Sequence, residues 1–137
     1  MKVFVDTSAW FALYYRRDDA HAKATRFWQD LRRQPARLVT SDYIFSEAIT
    51  LTRAHGGHPA ACRLGDFILK SDVVELAEVT FQVRAEAWAL FVRYADKDFS
   101  FTDCTSFVIM RALNLTNAFA FDDHFAQMGF RLQPSRG

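Results

Sequence analysis

Four acidic residues could do chemistry together in this chain: Asp6, Glu47, Asp103 and Asp122. Asp6 closes the apolar, β-branched run Val3-Phe4-Val5, and Asp122 follows a similar run over 117–121. Asp103 falls in the first turn of a strongly apolar segment, and Glu47 lies about two turns into another. Carboxylates gathered in one place repel one another and lose hydration, so such a group is stable mainly around a cation. Ligation by oxygen alone suits Mg²⁺ or Mn²⁺, ions that keep waters and accept a phosphate. The matching reaction is hydrolysis of a phosphodiester, with the metal lowering the pKa of a bound water and taking up charge on the phosphate. Each acid also has a plainer role. Asp6 can cap the first helix, Asp103 can complete a capping box, Asp122 can open a turn, and Glu47 can sit solvated on a helix. Only the four positions together point to a metal site.

For the four to meet, strand ends and the starts of the following helices must share one edge. A parallel α/β sheet provides such an edge, because its ligand sites lie outside the carboxyl ends of the strands. The hydrophobic pattern predicts that arrangement. Lys2 to Val5 reads as a buried strand, and Ser8 can cap a helix whose apolar side is Trp10, Leu13 and Tyr14. A second helix over about 20–33, opened by Asp18 or Asp19, carries Ala24, Phe27, Trp28 and Leu31. Pro35 ends it, a strand follows over 37–40, and Thr40 or Ser41 caps a helix that Gly56-Gly57 stop. Pro59 opens the next helix, to about Lys70, and Val73 to Leu76 form a third strand. A longer helix over about 80–95 is expected to turn Phe81, Ala85, Trp88 and Val92 inward.

Ser100-Phe101-Thr102-Asp103 has the form of a capping box. The helix behind it is apolar nearly all round, as a central, buried helix should be. A fourth strand over 117–121, a short helix and a terminal strand near 130–132 complete the chain. Strands alternating with helices imply a parallel sheet of four to five strands covered on both faces, in one domain over 1–137.

Composition narrows the function classes. A net charge of +1 rules out general cationic glue, so any nucleic-acid surface must be local. Arg16, Arg17, Lys23, Arg26, Arg32, Arg33 and Arg37 bias the first third towards positive charge. A subset of these can meet phosphates, although a solvated helix face is the commoner meaning. Cys62 and Cys104 lack C-x-x-C spacing and read as reduced, buried small hydrophobes without a basic neighbour to activate them. His55 and His58 straddle a turn with no third ligand near them in sequence, a poor metal site. His21 reads as a helix start. His124 can orient the short helix or touch a phosphate. No phosphate-binding Gly-rich loop occurs, and no signal peptide or long apolar span is present, so a cytoplasmic protein is expected. Fourteen Phe exceed what one core needs, which hints at a dimer face or partner groove, and the aromatic stripe Trp10, Phe11, Tyr14, Tyr15 adds to that hint.

The acids also carry a resemblance. V-F-V-D-T-S-A-W at 3–10, S-D-Y-I-F-S-E-A at 41–48, F-S-F-T-D-C-T-S-F at 99–107 and F-A-F-D-D-H-F at 119–125 resemble the blocks of PIN-domain proteins, in order and over essentially the whole chain. More narrowly, the chain is similar to VapC-type ribonuclease toxins of toxin–antitoxin pairs. The resemblance implies a three-layer α/β/α sandwich, endoribonuclease activity dependent on Mg²⁺ or Mn²⁺, homodimerisation, and inhibition by a small VapB-type antitoxin in the cleft. It also implies that Asp6 and Asp103 bind the metal directly. Glu47 and Asp122 would act through water, hold a second ion or position the attacking water. Asp123 fills a position where the family pattern often has Arg or another residue, so either acid of the pair can face the metal. Thr7, Ser8 and Thr102 are hydroxyls beside these acids, and serve either as helix caps or to hold ligands or water.

The expected substrate is single-stranded or loop RNA, since an open cleft takes a splayed strand more easily than a duplex. Two rivals keep the fold: a housekeeping RNA-processing or DNA nuclease, and a binding module without catalysis. An aspartyl-phosphate receiver would want paired acids after the first strand and an acceptor Asp after the third. Thr7 follows Asp6, and Glu75-Leu76-Ala77 occupies the third strand, so that reading is set aside.

Overall fold

Residues 1–135 are described by the computed structural model, so the last two residues of the expected 1–137 domain lie outside the described residues. Lys2–Val5 (β1), Arg37–Ser41 (β2), Val74–Ala77 (β3), Asn117–Phe119 (β4) and Arg131–Gln133 (β5) form one sheet in the order β3-β2-β1-β4-β5. Every pairing is parallel. The helices between them are Thr7–Tyr14 (α1), His21–Leu31 (α2), Asp42–Gly56 (α3), His58–Lys70 (α4), Phe81–Arg93 (α5), Phe101–Ala112 (α6) and His124–Gln127 (α7).

β1 takes the central position because Val3, Phe4 and Val5 tolerate cover on both faces, and all three are fully buried. From β1 the chain steps outward to β2 and then β3. It then returns across the sheet to β4 and β5 on the other side. Right-handed crossovers place α1 to α4 on one face and α5 to α7 on the other. Helix packing follows that partition: α1 meets α2, α3 and α4, while α6 meets α5 and α7. The strand order therefore reverses between β1 and β4. That is the switch point at which a doubly wound sheet opens a crevice at its carboxyl edge.

Large aromatic side chains fill the core. Phe4, Trp10, Phe107, Phe119 and Phe125 are fully buried, and α6 is buried continuously from Asp103 to Met110, as its composition predicts. A buried polar chain fixes α1 to the sheet. Trp10 Nε1 donates to Thr40 Oγ1 at 3.1 Å, and Thr40 Oγ1 donates to the carbonyl of Val5 at 2.9 Å. Gly57, at φ +92°, turns the chain between α3 and α4 in a conformation that L side chains rarely adopt.

Three sequence expectations are corrected. In α5 the inward residue is Ala87, flanked by half-buried Val83 and Leu90, whereas Phe81, Ala85, Trp88 and Val92 face solvent. The helix is apolar on two sides, so periodicity alone could not orient it. Close packing on α6 chose the side with the small residue. The fourth strand ends at Phe119 instead of Phe121, because the Phe121 amide leaves the ladder to donate to Ser8 Oγ at 3.0 Å. Cys62 is exposed, although Cys104 is buried as expected. The surplus aromatics Phe11, on α1, and Tyr15, at its C-cap, stack on each other at 5.0 Å and are partly covered by His55.

Candidate active site at the carboxyl edge

Asp6 leaves β1 and caps α1. Its Oδ2 accepts from the Ser8 amide at 3.2 Å and from Ser8 Oγ at 2.7 Å. Ser8, expected as the cap, is instead the residue that holds the cap and ties it to Phe121. Asp103 is the third residue of α6 and completes the predicted capping box. Its amide donates to Ser100 Oγ at 3.0 Å, and its Oδ2 accepts from the Ser100 amide at 3.0 Å. Asp122 lies just beyond β4, where its Oδ1 accepts from the His124 amide at 3.0 Å.

These three acids are neighbours electrostatically. Burial raises the pKa of Asp6 to about 7, with the charge of Asp122 and then of Asp103 adding to the effect, against the hydrogen bonds from Ser8. Asp103 is raised too, mainly by burial, with Asp122 contributing. The Ser100 amide and the imidazole of His124 pull it the other way. A cluster in which each ionised carboxylate disfavours the next lacks a positive charge at its centre.

Each of the three uses one carboxylate oxygen to fix itself to the protein. Among the described residues, Asp6 Oδ1, Asp103 Oδ1 and Asp122 Oδ2 accept no hydrogen bond. Thr7, buried beside Asp6, has a hydroxyl with no hydrogen-bond partner among them. No three His, Cys, Asp or Glu of the described residues already stand in a metal-ligating arrangement. The donor chemistry nevertheless fits a hard cation: hard oxygens, one open atom on each acid, and mutual repulsion that a cation would relieve.

Sequence reasoning gave His124 too small a part. Its Nδ1 lies 2.7 Å from Asp103 Oδ2 and 3.8 Å from Asp122 Oδ1, so it joins two of the acids. Phe99 packs edge-on against the ring at 5.6 Å. The signal available was adjacency to the Asp122-Asp123 pair. The bond to a residue 21 positions earlier required the fold.

Glu47 stands apart from the three aspartates. It is exposed on α3, with no hydrogen bond or ion pair among the described residues, and lines a groove with Tyr43 and Thr102. Thr102 precedes Asp103, and its carbonyl accepts from Thr105 Oγ1 and Ser106 Oγ. Of the acid pair, Asp122 is the one whose charge acts on Asp6 and Asp103. Asp123 is exposed at the N-cap of α7.

The remaining candidates stay outside the site. His21 opens α2, with Nδ1 2.7 Å from the Ala12 carbonyl. Cys62 does have a basic neighbour, contrary to expectation, since one turn of α4 brings its Sγ to 3.6 Å from His58 Nε2. His55 points elsewhere, against Phe11 and Tyr15. Burial and the charge of Asp103 push the Cys104 thiol up to about 11, which keeps it protonated and unreactive.

A parallel doubly wound sheet with aspartates at its switch point defines a class, and comparison with known proteins names it. The PIN domain pattern matches residues 3–131, and the chain belongs to the PIN-domain family. Within that family it is 38% identical over 128 residues to the 23S rRNA-specific endonuclease VapC20 of Mycobacterium tuberculosis, covering 93% of this chain and 95% of the relative. A crystal structure of VapC20, described as a sarcin–ricin loop cleaving toxin, matches with a TM-score of 0.87 at the same identity. That match covers 93% of this chain and 95% of the other.

Proposed function

We propose that this chain is a divalent-metal-dependent endoribonuclease, the toxin of a toxin–antitoxin pair, acting on a structured loop of ribosomal RNA. One observation carries the reading: Asp6, Asp103 and Asp122 form a mutually repelling, largely buried group at the switch point, each with one oxygen unused by the protein. The similarity to VapC20 supports ribosomal RNA as the substrate, and its sarcin–ricin loop as the first site to test.

Asp6, Asp103 and Asp122 would hold Mg²⁺ or Mn²⁺, with Glu47 reaching it through water. When bound, the ion supplies a water of lowered pKa and takes up charge on the phosphate. Ser8 fixes Asp6, while Ser100 and His124 fix Asp103, so the open oxygens are aimed before substrate arrives. A small VapB-type antitoxin would block the same cleft. A homodimer is part of the reading, with the exposed face of α5 as its interface. Phe81, Trp88, Phe91 and Val92 are all at least 40% exposed there, a larger apolar cluster than scattered surface residues make. No helix among the described residues is long and apolar enough to cross a membrane, and an RNA substrate would place the work in the cytoplasm.

The test is incubation of intact ribosomes with the purified chain in Mg²⁺ or Mn²⁺, followed by mapping of the 23S rRNA ends. A single cut in a loop, abolished by EDTA, is the expected result. Metal-dependent cutting of other RNA alone would move the substrate while keeping the nuclease. Cutting unchanged by EDTA would overturn the metal.

A further inference from the structure

A groove of about 560 Å³ lies between α2 and the segments that follow β4 and β5 at the carboxyl edge. Its volume falls within the range of small-ligand sites. The groove is physically coupled to the catalytic edge. Phe121 forms part of its wall, precedes Asp122, and donates its amide to Ser8 Oγ, which in turn donates to Asp6.

Two cations and two rings line the groove. Lys23 and Arg26 are three residues apart on one face of α2, exposed, and in no ion pair or hydrogen bond among the described residues. The acid in the same wall, Asp30, lies 3.9 Å from Arg33. Phe27 and Phe121 are half-buried and both lean on Phe119, with ring centroids at 4.7 Å and 6.0 Å. Each is thus fixed from behind while still lining the groove.

The opposite flank of the edge differs. There the groove beside Glu47, between α3 and α6, carries Asp42 and Tyr43 but no Lys or Arg. Of these two grooves, only the one on the α2 side carries Lys or Arg. A polyanion approaching repelling carboxylates gains from that pair of cations on the α2 side.

We propose that the α2 groove is a nucleotide subsite for RNA. It takes the residue next to the scissile phosphodiester, with the base stacked on Phe121 and its outer phosphate held by Lys23 and Arg26. Stacking on a fixed aromatic ring is sequence-tolerant and strong for single strands, and paired cations make the binding salt-dependent. The proposal rests on the nuclease reading and gives that site a direction: the strand crosses the acids with its backbone on the α2 side.

The test separates binding from cleavage. The full chain carrying Asp6→Asn is titrated with a fluorescent RNA hairpin with an unpaired loop, alone and with Lys23→Ala/Arg26→Ala or Phe121→Leu added. Arg93→Ala, on the other helical layer, is the charge control. Each groove variant should weaken RNA binding by about tenfold. The double variant should also flatten the slope of log affinity against log salt by about 1.4. In the otherwise wild-type chain, the same changes should raise KM with kcat nearly unchanged. RNA binding equal to the parent, or lowered no more than by Arg93→Ala, overturns the subsite even if the wild type cuts RNA. Groove variants that lose an acidic peptide but keep RNA also overturn it, in favour of a protein partner. A wild type that neither binds nor cuts RNA removes both the subsite and the nuclease reading.

Discussion

His124 Nδ1 lies 2.7 Å from Asp103 Oδ2, a contact that joins the start of α7 to the start of α6 across the carboxyl edge. Asp103 Oδ2 also takes the Ser100 amide at 3.0 Å, so two protein groups hold one carboxylate oxygen and leave the other open. In the proposed metal site, this arrangement would aim the open oxygen of Asp103 before the ion or substrate arrives. Outer partners of metal ligands commonly contribute about 10- to 100-fold in affinity or activity. His124→Ala should therefore lower kcat by roughly that factor. His124→Asn places an amide N–H near the position of Nδ1 and should restore much of the loss, whereas His124→Gln should not. Steady-state kinetics on one RNA, with Mn²⁺ affinity measured alongside, distinguish the three.

Asp6 sets a conflict between stability and function. Its folded pKa is raised from 3.8 to about 7, so between those values the folded chain keeps a proton that the unfolded chain releases. Stability of the metal-free protein from this group is therefore greatest at low pH and falls as pH rises towards 7. The loss is on the order of a few kcal/mol, since each tenfold change in proton affinity corresponds to about 1.4 kcal/mol. Asp6→Asn keeps a competent cap for α1 and removes the charge. Calorimetry in EDTA at pH 8 should show the variant melting above the wild type, and its stability should depend less on pH. Adding Mn²⁺ should raise the wild-type Tm and leave the variant's unchanged.

Ser100 both caps α6 and fixes Asp103. Ser100→Ala should cost about 1 kcal/mol of stability, the usual loss for a helix cap. The Ser100 amide that holds Asp103 Oδ2 survives the change, and only the bond from the Asp103 amide to Ser100 Oγ is lost. Activity at a temperature where the variant is fully folded should therefore stay close to the wild type. Activity well below the wild type in a fully folded variant would contradict this division of labour between the Ser100 hydroxyl and its amide.

The exposed face of α5 predicts self-association. Trp88 and Phe91 stack at 5.7 Å on the surface, beside Phe81 and Val92. Trp88→Glu should convert a dimer to a monomer in sedimentation at micromolar concentration while leaving circular dichroism unchanged. A wild type that is monomeric at the highest soluble concentration would contradict the assignment.

The fold was readable because its decisive segments carry strong local signals. The Val3-Phe4-Val5 run can only be an interior strand, and Ser100 with Asp103 spells a capping box that the structure contains in full. Alternation of strand and helix then led to the parallel sheet, and the sheet to the shared edge. What failed was orientation. Helix α5 is apolar on two sides, and nothing local distinguishes the face with Ala87 from the face with Trp88. The candidate site was legible where an acid follows an apolar strand run or begins a helix, as Asp6, Asp103 and Asp122 do. It was less so for His124, whose bond spans 21 residues, and for the α2 groove, whose walls come from elements almost a hundred residues apart.

Everything proposed for the carboxyl edge depends on Asp6, Asp103 and Asp122 acting as one cation site, and metal titration addresses that without any RNA. Calorimetric titration of Mn²⁺ into antitoxin-free, EDTA-stripped protein should show binding in the wild type. It should be lost in Asp6→Asn and Asp103→Asn, and accompanied by proton release near neutral pH as Asp6 ionises. No binding at millimolar Mn²⁺, or binding unchanged in both variants, would contradict a shared cation site.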